Sequence, residues 1–116
     1  MNRYTVDNRR DFAAAATVSI ASGQTTSGVI TQGNATLAAL LVPAGFTGTS
    51  VSFSGSIDGV NFFPLQDSSG VAATAVVAAG AMVTLDMSAV APPPYLQIVA
   101  GSAQGSTVSI GLIFWN

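Results

Sequence analysis

The 116-residue chain contains no cysteine, histidine, lysine or glutamate. Each absence removes a class of chemistry. Without cysteine there is no thiol nucleophile and no disulfide, and nothing in the chain reports on redox compartment. Without cysteine and histidine the usual zinc ligands are missing. Without histidine, glutamate and lysine the common general bases and Schiff-base nucleophiles are missing as well. The thirteen serines have no histidine or lysine to activate them. No enzyme, no cofactor and no metal site is expected.

Charge is scarce too. Charged residues make up 7% of the chain, against about 25% in an ordinary soluble domain. The net charge of −2 implies no general attraction to nucleic acid. The longest apolar run, Val71 to Val83, is interrupted by Thr74 and Gly80 and falls short of the ~20 residues that cross a bilayer as a helix. No membrane partner is expected. The N-terminus makes a poor signal peptide, because Asp7, Asn8, Arg9, Arg10 and Asp11 precede only a short alanine patch. Assembly in a cytoplasm is expected. A domain this poor in charge lacks the usual means of staying dispersed. Its neutral surface either suffices or is covered by neighbouring subunits, and the second is expected because small residues allow close approach.

The charges that are present cluster. Arg3, Arg9, Arg10, Asp7 and Asp11 all lie in the first eleven residues, and only Asp58, Asp67 and Asp86 follow. This divides the chain into an arm, residues 1–12, and a body, residues 13–116. Such an arm is either a frayed terminus or a segment that docks on a partner through Tyr4, Val6 and Phe12. Its arginines either pair with acidic groups of that partner or remain solvated.

The body reads as strands. Ser50, Ser52, Ser54 and Ser56 alternate with Val51, Phe53, Gly55 and Ile57, which puts hydroxyls on one face and apolar groups on the other. Val108, Ile110, Leu112 and Phe114 repeat the pattern near the C-terminus. Shorter alternations occur at Val18–Ile20, Val83–Leu85 and Leu96–Ile98. Leu37 to Val42 is apolar on both faces, as in a central strand covered on both sides. Val71 to Ala81 reads as a strand, although its alanines also suit a helix. Asp58-Gly59 is the clearest hairpin signal, since a type I′ turn needs positive φ. Pro92-Pro93-Pro94 cannot lie within a ladder and reads as a rigid crossover. Turn signals every 8–14 residues between short strands predict an all-β fold: a single antiparallel β-sandwich or jelly-roll-like domain with an extended N-terminal arm.

The remaining candidates for chemistry are few. Asp58, Asp67 and Asp86 could form a glycosidase-type pair or hold calcium, but each sits in a turn-like setting where aspartate commonly caps backbone. Their spacing matches no EF-hand loop. The C-terminal Leu112-Ile113-Phe114-Trp115 carries bulky apolar groups on both faces. Phe114 reads as core. Trp115 is either a second-face core residue or an intersubunit anchor of the kind enriched at interface hot spots. The candidate partner-binding residues are thus Arg3, Tyr4, Arg9, Arg10, Phe12 and Trp115.

The stretch Val51-Ser52-Phe53-Ser54-Gly55-Ser56-Ile57-Asp58-Gly59, continuing through Phe62-Phe63-Pro64-Leu65, resembles small virion proteins of tailed bacteriophages. The preceding Leu37 to Thr49, with its Leu40-Leu41-Val42-Pro43-Ala44-Gly45-Phe46-Thr47-Gly48-Thr49, fits the same pattern, as do Tyr95-Leu96-Gln97-Ile98 and the Gly101-Ser102 turn. The resemblance covers residues 17–113 and contains no catalytic signature. It implies a cement or decoration protein on the outside of a phage head, bound to the major capsid protein and self-associated, with a trimer favoured. The virion is then its location. No functional residue is carried over, and the arm lies outside the matching pattern. The Ser56-to-Phe62 hairpin also resembles one in discoidin-type carbohydrate-binding sandwiches, although this chain lacks their length and their binding-loop aromatics and arginines. A carbohydrate-binding tail or fibre module, with Tyr95, Phe46 or Phe63 stacked on a sugar, is the alternative. A tail or connector component is another.

Overall fold

A computed structural model describes residues 12–115. Nine strands and one short helix follow in order: β1 (Phe12–Ile20), β2 (Ile30–Thr31), β3 (Thr36–Leu41), β4 (Ser50–Ser56), β5 (Phe63–Pro64), β6 (Thr74–Val76), β7 (Met82–Thr84), α1 (Met87–Val90), β8 (Tyr95–Ala100) and β9 (Val108–Trp115). They form two antiparallel sheets. The first has the order β1-β9-β3-β7; the second has the order β2-β8-β4-β5, with β6 also paired to β4. The expected all-β sandwich is the fold.

Period-two patterning explains most of the core. In β9, Val108, Ile110, Leu112 and Phe114 are buried while Ser109, Gly111, Ile113 and Trp115 lie on the other face. Leu96 and Ile98 of β8 lie beside Val51 and Phe53 of β4 on the inner face of the second sheet, with Ile98 directly opposite Phe53. With Ile20, Leu37, Leu40 and Ile110 these residues form one continuous core. Each fully buried Leu or Ile contributes about 1.5–3 kcal/mol relative to exposure.

Strand β3 departs from simple alternation. Leu37 to Leu40 are all buried, because a register shift between Leu37 and Ala39 leaves Ala38 as an extra residue opposite β9. The bulge lets Leu37 and Leu40, three apart, both point inward. Leu41 then lies on the outer face, opposite Gly111, and is 43% exposed. The expectation that Leu37 to Val42 is covered on both faces therefore fails at Leu41.

Three further expectations are corrected. Ile57 does not extend the apolar row of β4: the strand ends at Ser56, and Ile57 is 87% exposed. Asp58-Gly59 does not form a two-residue hairpin. Gly59 has the positive φ (77°), but β4 and β5 are joined by the longer loop 57–62. Val71 to Ala81 is not one strand. It contains an isolated bridge from Ala72 to Gln66, the short β6 and a turn at Ala79-Gly80, after which β7 begins. The helix α1 follows β7, with the Asp86 carboxylate accepting from the Ser88 N–H and Oγ at its start, as an N-cap does. The three prolines then carry the chain from α1 to β8.

Because the chain is so poor in ions, neutral side chains satisfy its buried polar groups. Gln32 is buried beneath the proline crossover. Its Nε2 donates to the carbonyls of Val90 and Pro93, both at 2.7 Å, and its Oε1 accepts from the Leu37 N–H at 2.8 Å. At another end of the sandwich the buried Gln104 brackets Thr47, accepting from its N–H and donating to its carbonyl, both at 2.9 Å. Ser27 substitutes for a missing ladder partner: its Oγ accepts from the Ile98 N–H at 2.9 Å. Gln32→Met keeps the volume but strands three backbone groups, two of them buried, so urea denaturation should show a loss of about 3 kcal/mol. Gln97→Met removes one 3.2 Å bond to the Ser27 carbonyl and should cost less than about 1 kcal/mol.

Candidate functional site

The candidate residues Arg3, Tyr4, Arg9 and Arg10 lie outside the described residues. Phe12 and Trp115 are brought together by register. Phe12 opens β1 opposite Trp115, and Trp115 pairs on its other side with Thr36 of β3. The half-buried Trp115 stands on the outer face of the first sheet, in line with Ile113, Gly111 and Ser109. Beside it, Ala39, Met82, Thr84, Leu85 and Ile113 line a shallow groove of about 330 Å³. No charged side chain lines this groove. What it offers is van der Waals contact and apolar burial.

Gly111 shapes this face. A Cβ at Gly111 would sit 2.9 Å from the Leu41 Cβ. The missing side chain lets Leu41 lie across β9 and keeps the outer surface flat.

A second apolar patch lies at one end of the other sheet. Ile57, Phe63, Pro64, Leu65, Pro92 and Pro93 surround a depression of about 400 Å³. Phe63 is 68% exposed, and Val60 in the same loop is also exposed. Alternation had assigned Ile57 to the core. The signal against that assignment was local: a turn-forming Asp-Gly follows Ile57 directly, so the strand had already ended. Of the three aromatics considered for sugar stacking, Phe46 is buried in the core, Tyr95 packs its ring over Gly59, and Phe63 is open to solvent.

The hydroxyl comb of β4 lies where alternation placed it, on the outer face of the second sheet, with Ser52 opposite Val99 and Ser54 opposite Gln97. Ser56 is the exception in burial. The loop after β4 folds over it, and its Oγ accepts from the Asp58 and Gly59 N–H groups and donates to the Asp58 Oδ1.

The three carboxylates of the body are engaged in local turns. The Asp58 Oδ1 accepts from the Ser56 Oγ and from the Val60 and Asn61 N–H groups, at 2.8–2.9 Å, and its Oδ2 accepts from the Asn61 Nδ2. The Asp67 Oδ1 accepts from the Ser69 and Val71 N–H groups. Asp86 caps α1. Asp67 and Asp86 border the same cleft of about 630 Å³, alongside Gln66, Ser68, Thr74 and Ser88. Among the described residues, no group of three or more acidic, histidine or cysteine side chains is arranged to hold a metal ion.

The backbone N–H of Asn61, then that of Val60 and the Ser56 hydroxyl, hold the Asp58 carboxyl well below the usual carboxylate range. The sign follows directly. A carboxyl whose folded pKa is depressed stabilises the fold above its unfolded value, about 3.9, and this contribution is lost as pH falls toward the folded value. Melting temperature should therefore drop from about pH 4 downward in the wild type. Asp58→Ala should melt lower at pH 7 and lose less on acidification. Thermal unfolding followed by circular dichroism from pH 7 to pH 2 checks both.

In comparisons with known proteins, no family model, no curated protein and no solved structure matches the chain.

Proposed function

We propose that the protein is a structural component of a tailed-phage virion, a decoration or cement protein that binds the outside of the head and stabilises contacts between capsomers. The observation that carries this reading is the character of the surface. Large apolar side chains, including Ile57, Val60, Phe63, Leu41 and Met82, stand exposed on a body whose only charges are three loop aspartates. These apolar side chains form two patches, one on the outer face of the first sheet and one around Phe63, and exposed apolar patches mark sites of contact. Interface cores are depleted of charge in the same way. A flat apolar groove ending at Trp115 supplies buried area at about 25 cal/mol per Å², multiplied over many copies on a shell.

In this reading the outer face of the first sheet is the contact surface. In the same reading Arg3, Arg9 and Arg10 of the arm pair with carboxylates of the major capsid protein. The sequence resemblance around Val51–Leu65 supports the same assignment. A carbohydrate-binding module is the second reading, and the exposed Phe63 beside Pro64 is the observation that favours it.

Purified protein added to capsids that lack it should bind saturably, with a fixed number of copies per capsomer, and should raise the capsid melting temperature. Deleting residues 2–11 should weaken that binding more than tenfold, about 1.4 kcal/mol or more. Absence of binding by the full chain overturns the decoration reading. Unchanged occupancy by the truncated chain overturns the role of the arm. Binding on a glycan array that Phe63→Ala abolishes selects the second reading.

A further inference from the structure

The sandwich has four sheet edges, and they are not equally protected. Strand β7 has three residues, β2 has two, and the edge beside β4 is shared by β5, two residues of which one is Pro64, and β6, three residues. Short strands and proline are the usual means of blunting an edge. The fourth edge is β1, with nine residues and neither proline nor charge.

The pairing of β1 with β9 fixes which of its peptide groups face away from the sheet. The Ser19 and Ser109 hydroxyls approach to 3.4 Å across the ladder, the close approach of a non-hydrogen-bonded pair. The Ser19 carbonyl accordingly accepts from the Gly28 N–H, at 3.2 Å, instead of from β9. Alternation then turns the N–H and C=O groups of Thr17 and Ala15 outward as well. Among the described residues nothing pairs with these four groups. The open segment is bounded at both ends: Gly28 covers the edge at Ser19, and a register shift between Phe12 and Ala14 interrupts it on the other side. The side chains of Ala15, Ala16 and Thr17 are exposed.

We propose that this edge is a seam between two copies of the chain. The two β1 strands pair antiparallel about a two-fold axis at Ala16, so that Ala15 of each copy stands opposite Thr17 of the other. Four N–H···O=C bonds then satisfy the outward groups of both copies and join the two first sheets into one. A second copy fits because the edge presents the same donor and acceptor pattern to its own two-fold image. A charged partner strand finds nothing to pair with, since residues 12–20 carry no charge. The inference stands apart from the decoration reading: it concerns the free protein and needs no capsid. A two-fold seam gives an even number of copies, which differs from the trimer implied by the resemblance.

The test uses the full chain in a dilution series, with mass measured by light scattering and amide exchange followed residue by residue by NMR. An even-numbered assembly is expected at high concentration, with the Ala15 and Thr17 amides protected at least about tenfold more than after dilution to monomer. The Ala16 and Val18 amides, bonded to β9, should stay protected throughout. The double variant Ala15→Lys, Thr17→Lys places charges only at exposed positions. It should be monomeric, with Ala15 and Thr17 unprotected and Val18 unchanged. Four results overturn the proposal: a monomer with both outward amides unprotected at every concentration, an assembly in which they remain unprotected, an odd-numbered assembly, or protection that survives dilution. The last would mean that the chain's own residues, not a second copy, cover the edge.

Discussion

The register of β9 between β1 and β3 is the constraint on which the first sheet depends. Its inward row, Val108 to Phe114, meets Ile20 and Val18 on one side and Leu40 and Leu37 on the other. A slip of one residue would turn that whole row to solvent. Both neighbours accommodate the last turn of phase near Phe114 with an extra residue, Ala13 in β1 and Ala38 in β3. The apolar outer face, the Trp115 groove and the open edge of β1 are all consequences of where this one strand sits.

Much of this arrangement was legible in the sequence, for a definite reason. Strands β4, β8 and β9 bury one face and leave the other, so their period-two pattern is strong and local. Leu37 to Val42 was legible as a strand, but its coverage was not. Four apolar residues in succession look the same whether a strand is buried on both sides or carries a bulge. Ile57 was misread because alternation was continued past the point where Asp58 begins to organise its own turn. Helix α1 has only four residues, too few to show a period of 3.6.

The candidate site was legible only in part. Trp115 stood out because large apolar groups occupy both faces of β9, and its place on the outer face follows from alternation with Phe114. That β1 lies at an edge could not be read locally. It is set by pairing between residues some ninety positions apart, as Ser19 and Ser109 show. The exposure of Phe63 likewise depends on β5 being a two-residue outer strand rather than a central one.

Scarcity of charge links the interior to the surface. With no lysine or glutamate to spend on buried pairs, the fold fixes its crossings with amides and hydroxyls: Gln32 beneath the prolines, Gln104 around Thr47, Ser27 at β8. Such groups are satisfied without the desolvation penalty of buried ions. The same scarcity removes the device most often used to keep sheet edges apart, a charged side chain on the edge strand. The fold compensates at three edges by shortening the strand. At β1 it cannot, because the long β9 needs a partner along Val108 to Trp115 to complete the core. A strand long enough to cover β9 is necessarily long enough to present an edge. The bulge after Phe12 and the contact of Gly28 with Ser19 confine that edge to Ala15 and Thr17, which limits any pairing there to a few registers. An edge so bounded favours a defined contact over open-ended association.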